Sequence, residues 1–288
     1  PGALGGPDLW LAPGFVDLQV NGYAGADANH GAWGDADEVR FDPRALVNHL
    51  ARAGTTRSCP TVTTNALDAM GDALAELARL ADDDPDLRDA VVGLHVEGPW
   101  ISPDDGPRGA HPKEHVRTPR WDDFLRLRDA ARGRVRIVTL APELPGALPF
   151  VERLAAEGVV VALGHTAADP QTIRDAVSAG ATLSTHLGNG AAATLPRHPN
   201  LLWEQLADDR LAATVIADGH HLPAATLKTF VRAKTPARVA LVSDAVSLGG
   251  LPPGTYARGR YAVEPSGRVV TAGTPYLARA GFLLAPGV

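Results

Sequence analysis

Five apolar, strand-like runs in this 288-residue chain each end on a residue that can bind a metal or move a proton. VVGLHVEG reaches Glu97, VVVALGH reaches His165, ATLSTH reaches His186, AATVIADGHH carries Asp218, His220 and His221, and VALVSD reaches Asp244. One carboxylate and two imidazoles, from Glu97, His165 and His186, form a ligand set for a catalytic divalent ion that leaves a position open for water. Such an ion lowers the pKa of that water toward about 7, so the set points to metal-assisted hydrolysis. Zn2+ suits these ligands, and Fe2+, Co2+ and Mn2+ suit them by ligand type too. A lone histidine at a strand end is more often structural. Two on consecutive strands, each closing an apolar run, favour a shared site.

The other candidates have two readings each. Asp244 is either a general base, moving a proton from water to a leaving group, or the cap of the next turn. The Gly-flanked turn in THLGNGAAATLPRHPN, with Arg197 just beyond it, either faces an anion or is only a tight turn. Of the Asp218 turn, His221 is the preferred substrate contact and His220 the more peripheral residue. His111 either reaches over the metal to polarise a carbonyl or lies exposed on its loop.

To bring these residues together the chain needs parallel strands, because a (β/α)8 barrel carries its catalytic groups at the C-terminal strand ends. The pattern predicts eight strands: Gly14 to Val20, Thr55 to Ser58, Val91 to Val96, Val135 to Leu140, Val159 to Gly164, Thr182 to Thr185, Ala212 to Ile216 and Val239 to Ser243. Helices are expected at Pro43 to Ala53, Ala66 to Ala81, Leu148 to Glu157, Pro170 to Ala179, Leu201 to Leu206 and Ala224 to Ala233. Asp42-Pro43 and Asp169-Pro170 are start signals, and Gly54, Gly158 and Gly180 are stop signals. Residues 99–120 are too rich in proline and glycine for a regular element and read as a substrate lid on the catalytic side. The stretch from Gly249 reads as a β-hairpin. The expected organisation is a remnant of a small β domain over 1–13, the α/β TIM-type barrel over 14–248, and a hairpin with a divergent or truncated tail over 249–288.

Composition limits the partners. A net charge of -6, without clustered Lys and Arg, excludes a nucleic-acid footprint. The lone Cys59 excludes an internal disulfide and a Cys-rich zinc site, which fits a cytoplasmic protein. No apolar run approaches the roughly 20 residues that span a bilayer, and LWLAPGFV is broken by proline and lacks a basic flank.

The blocks APGFVDLQVNG, GLHVEGPW followed by GAHP, LGHT, THLGN, IADGHH and LVSDA, in this order and spacing, resemble the N-acetylglucosamine-6-phosphate deacetylase family of the amidohydrolase superfamily. The resemblance runs from Leu11 to about Gly254. It implies removal of an acetyl group from an amino-sugar phosphate, with Glu97, His165 and His186 on the metal and Asp244 as acid/base. It also implies that Ala110 and His111 contact the sugar and the acetyl carbonyl, that Asn189, Gly190, Arg197 and His221 surround the phosphate, and that Arg197 comes across a homodimer interface. Gln19-Val20-Asn21 stands where much of the superfamily has His-x-His for a second metal. One tightly bound ion per chain is therefore expected, with Gln19 orienting water or touching a weak second ion. The family's small β-sandwich is expected to be reduced to the entry strand and the Tyr256 to Thr271 hairpin. The family pattern after TPYLARAG is a final helix, usually with Gly and Ser where this chain has Arg279 and Ala280. Two other functions compete: an amide hydrolase such as an N-acyl-amino-acid deacylase, and a catalytically silent barrel that binds a sugar phosphate.

Overall fold

In a computed structural model, residues 12–31, 37–274 and 277–284 are described, and alternating strands and helices close a TIM-type barrel. The barrel strands in order are Phe15–Val20, Thr55–Thr63, Leu94–Glu97, Val135–Leu140, Val160–Leu163, Leu183–Ser184, Ala212–Ile216 and Val239–Val242. Each pairs in parallel with the next. The seam between last and first is held just beyond the ladder. Asp244 N–H donates to the Gln19 carbonyl at 2.8 Å, and the Asn21 and Gly22 N–H groups donate to the Ala245 carbonyl at 2.8 and 3.0 Å.

The helices follow their local signals. Pro43–Arg52 begins where Asp42 Oδ1 accepts the Ala45 N–H at 2.9 Å, and Pro170–Ser178 where Asp169 Oδ1 accepts the Thr172 N–H at 2.7 Å. Gly54, at φ +85°, lets the chain leave the first of these directly into the second strand. The helix Leu67–Asp83 buries Met70, Ala73, Leu74, Leu77, Ala78 and Ala81, the stripe expected of a helix lying on a sheet. Two helices lie beyond those expected: Pro85–Ala90, which begins at an Asp-Pro start of the same kind, with Asp84 Oδ1 accepting the Asp86 N–H at 2.9 Å, and Trp121–Ala130. The second starts right after the Pro/Gly-rich loop, at Arg120, whose side chain makes no cap, and buries only Phe124 and Leu127.

The main apolar cluster lies between the helices and the outer face of the strands, with Val62, Val96, Val138, Val161 and Leu163 contributed by the strands. Alternate strand residues form a smaller interior layer of Cys59, Ile137, Ala162 and Leu183, with Leu18 and Ala212 packed against it. Burial there pushes the Cys59 thiol up to about 12, so it is inert. Toward the C-terminal strand ends the interior turns polar. His95 Nε2 meets Thr139 Oγ1 at 2.7 Å, which meets Thr185 Oγ1 at 2.7 Å, while Asp17 accepts from Ser243 Oγ at 2.5 Å.

The tail differs from the expected hairpin. Gly254–Tyr256, Tyr261–Val263, Val269–Thr271 and Leu277–Arg279 form a four-stranded antiparallel sheet, and residues 282–284 after it, where the family pattern begins a final helix, are not helical. The cause of the sheet is apolar pairing: Val263 and Val269 pack on Val246 and Leu248 of the segment following the last barrel strand. A three-stranded sheet, Gly22–Tyr23, Ala26–Asp27 and Arg40–Phe41, follows the first barrel strand. Most of the expected 1–13 remnant and the end of the tail, 285–288, lie outside the described residues. No helix among the described residues is long and apolar enough to cross a membrane.

Candidate active site

Glu97 is the last residue of its strand, paired with Thr63 on one side and Thr139 on the other. The next residue, Gly98, sits at φ +77°, and a Cβ there would lie 2.1 Å from Thr64 Oγ1, so the turn that points Glu97 inward requires glycine. His165, His186 and Asp244 each lie two residues past a strand end, and all three hold left-handed backbone, at φ +51°, +29° and +47°. That conformation costs a non-glycine residue about 1–2 kcal/mol and gathers at functional sites. Hydrogen bonds hold it: the His165 carbonyl accepts the Ser102 N–H at 2.9 Å, and the His186 N–H donates to Thr214 Oγ1 at 2.7 Å.

The side chains converge. Glu97 Oε1 lies 3.3 Å from His165 Nε2 and 3.2 Å from His186 Nε2, and the two nitrogens are 3.1 Å apart. The donors of a tetrahedral ion with bonds of about 2.0–2.1 Å stand about 3.3–3.4 Å apart, so this buried group can hold a metal ion. His165 Nδ1 donates to the Pro107 carbonyl at 2.9 Å, which leaves the Nε2 lone pair for the centre. Burial would raise the Glu97 carboxyl, but the neighbouring His165 and His186 outweigh it and hold the group well below the usual carboxylate range. His186 moves up, because the Glu97 hydrogen bond and charge overcome burial.

Asp244 lies beside this group. Gln19 Nε2 donates to Glu97 Oε1 at 2.7 Å and to Asp244 Oδ1 at 3.1 Å, so one amide separates two carboxylates, and Asn21 Nδ2 donates to Asp244 Oδ1 at 2.8 Å. Burial, then the charge of Glu97, raises the Asp244 carboxyl. His111 is 3% exposed, which overturns the exposed-loop reading. Its Nε2 stands 3.3 Å from His165 Nε2 and 3.8 Å from Glu97 Oε2. Burial and the neighbouring His165 hold His111 well below the usual imidazole range, so it is neutral. The loop carrying it is tied down by the Ser102 bond and by Arg117 N–H to the Pro99 carbonyl, 3.0 Å.

These groups surround one cavity of about 310 Å³, which Ala110, Asn189, Gly190 and His221 also line. His221 Nδ1 is anchored on Asp218 Oδ2 at 2.7 Å. His220, expected to be peripheral, lines the cavity as well, its ring 5.2 Å from that of Phe282. Arg197 does not: it is exposed and absent from this wall within one chain. Ile216 and the strand Leu277–Arg279 do line it, with no local sequence signal, since the tail strand reaches the site only by pairing in its own sheet.

The amidohydrolase family model matches residues 10–268 of this sequence. The chain belongs to the amidohydrolase family. Members of this family depend on metal ions, and the buried Glu97, His165 and His186 are a group that can hold one. Among amidohydrolases, it is 37% identical over 265 residues to N-acetylglucosamine-6-phosphate deacetylase of Bos taurus, covering 89% of this chain and 62% of the relative. It is 36% identical over 262 residues to N-acetylgalactosamine-6-phosphate deacetylase of Escherichia coli O157:H7, covering 90% of this chain and 66% of the relative. The crystal structure of N-acetyl-D-glucosamine-6-phosphate deacetylase from Mycobacterium smegmatis superposes with a TM-score of 0.84 at 31% identity, covering 99% of this chain and 74% of that one. This amidohydrolase chain thus spans about 62% of the length of the first of these relatives.

Proposed function

We propose that this chain removes the acetyl group from an N-acetylhexosamine 6-phosphate, giving the amino-sugar phosphate and acetate. The observation that carries this reading is the buried Glu97–His165–His186 group with Asp244 beside it in one cavity, in a chain whose relatives are deacetylases of such substrates. Glu97, His165 and His186 hold one divalent ion, Zn2+ by ligand type, which supplies Lewis acidity, polarising a carbonyl and making water acidic enough to ionise near neutral pH.

The chain's own residues do the rest. Asp244 accepts a proton from the water that attacks the acetyl carbonyl carbon and returns it to the departing nitrogen as the C–N bond breaks. Gln19 holds Asp244 in place through the shared amide, and touches no second ion. His111, neutral, presents an N–H to the carbonyl oxygen, with the Ala110 backbone beside it. Asn189, Gly190 and His221 bind the sugar phosphate. Arg197, exposed and away from the cavity within one chain, joins them from the second copy of a homodimer. The single buried Cys59 and the phosphorylated sugar substrate support a cytoplasmic enzyme.

Deacetylation of N-acetylglucosamine 6-phosphate, of its galactosamine epimer and of unphosphorylated N-acetylglucosamine, each with and without chelator, tests the proposal. Loss of turnover on chelation and preference for a phosphorylated sugar are expected. Equal rates with and without phosphate would defeat the substrate assignment, and full activity in chelator would defeat the metal.

A further inference from the structure

Among the described residues, Arg279 is the one strongly charged group at the cavity to which the mechanism above gives no role. It ends the tail strand Leu277–Arg279 and lines the same wall as Glu97, His111, His221 and Asp244. Its backbone is fixed from two sides: Arg279 pairs with Val269 in the tail sheet, and the adjacent Ala280 accepts the Val246 N–H at 3.1 Å. Its Nε is closed off from solvent. Among the described residues that line the cavity, Arg279 alone carries a permanent positive charge; the rest are carboxylates, imidazoles, an amide or apolar groups.

A phosphate monoester entering this cavity meets two carboxylates, Glu97 and Asp244. Amide and imidazole donors give it hydrogen bonds but no permanent counter-charge, whereas a planar guanidinium supplies charge and paired N–H donors together. At about 310 Å³ the cavity is at the small end of ligand sites, so an anionic group on a single sugar stays close to its wall.

We propose that Arg279 binds the phosphate of the substrate from within the same chain and so sets the preference for phosphorylated over neutral N-acetylhexosamines. This rests on the deacetylase reading. It makes the tail sheet part of the substrate site and lets a single chain supply the cation that would otherwise have to come from Arg197 of a second copy.

The test compares wild type, Arg279→Ala, Arg279→Lys and Arg197→Ala, all metal-loaded and checked for folding by circular dichroism and metal content. The ratio of kcat/KM for N-acetylglucosamine 6-phosphate to that for N-acetylglucosamine should fall about 10- to 100-fold in Arg279→Ala, the range for losing a charged hydrogen-bond partner. The fall should appear mainly in KM, with partial recovery in Arg279→Lys. An unchanged ratio in Arg279→Ala, or a fall confined to Arg197→Ala, overturns the proposal. Arg279→Gln carries the same reading if the alanine variant does not fold. If wild type turns over neither of these sugars nor N-acetylgalactosamine 6-phosphate, the deacetylase reading fails, and calorimetric titration with inorganic phosphate still decides: binding at least tenfold weaker in Arg279→Ala upholds the anion site, and equal binding, or none in either, removes it.

Discussion

Replacing Asp17 by asparagine should remove a pH-dependent cost that the barrel carries beneath its candidate active site. Asp17 lies on the first strand with no exposed surface. It accepts Ser243 Oγ at 2.5 Å and the Ser243 and Gln19 N–H groups at 3.2 Å each. Burial, only partly offset by these bonds, pushes its carboxyl from 3.8 up to about 7. The native state therefore keeps a proton that the unfolded chain has already released between these values. Stability then falls as pH rises through that window, by about 1.4 kcal/mol per pH unit. Integrated from about pH 5 to about pH 8, the loss assigned to this one group is about 2–3 kcal/mol. Asparagine mimics the protonated acid: its oxygen still accepts the two N–H groups, and its amide donates to Ser243 Oγ, freeing that hydroxyl for the Gln19 carbonyl at 3.4 Å. Urea unfolding of both proteins across this range should show Asp17→Asn gaining about 2–3 kcal/mol on wild type as pH rises. Parallel curves would mean that Asp17 is ionised in the native state throughout, and the argument from burial would fail.

Changing Asp244 to Asn should lower kcat by about 10²–10⁴-fold while the metal content stays at the wild-type value; unchanged turnover would remove Asp244 from proton transfer. Elemental analysis should find close to one metal ion per chain, and Glu97→Gln should bind it far more weakly; two ions per chain, both needed for activity, would refute the role given to Gln19. Glu143 accepts from Thr166 Oγ1 at 2.5 Å and from the Ala167 N–H at 2.6 Å, which steadies the turn carrying His165. Glu143→Ala should therefore weaken metal affinity about 10-fold in competition with a chelating dye, and an unaltered affinity would show that the turn holds itself.

Local physics alone makes much of this protein legible. The alternation of apolar runs with helical stripes, the Asp-Pro helix starts and the glycine stops are each set by a few neighbouring residues, so eight strands and most helices can be read directly. The same runs mark Glu97, His165, His186 and Asp244 as strand-end residues of the right chemical types. Where local signals are weak, as in Trp121–Ala130 after an uncapped start, the element is decided by packing, here of Phe124 and Leu127 into the main apolar cluster.

Closure of the barrel decides the rest, because it joins groups far apart in the chain. Only the ring brings Gln19 between Glu97 and Asp244, 78 and 225 residues away, or turns a histidine from a proline-rich loop into a buried one beside His165. Tertiary contacts also hold three site residues in backbone that their own side chains disfavour. They leave Arg197 outside the cavity and bring Arg279 to its wall. Periodicity in a sequence says which face of a strand a residue occupies; which distant residue stands opposite it is a property of the closed ring alone.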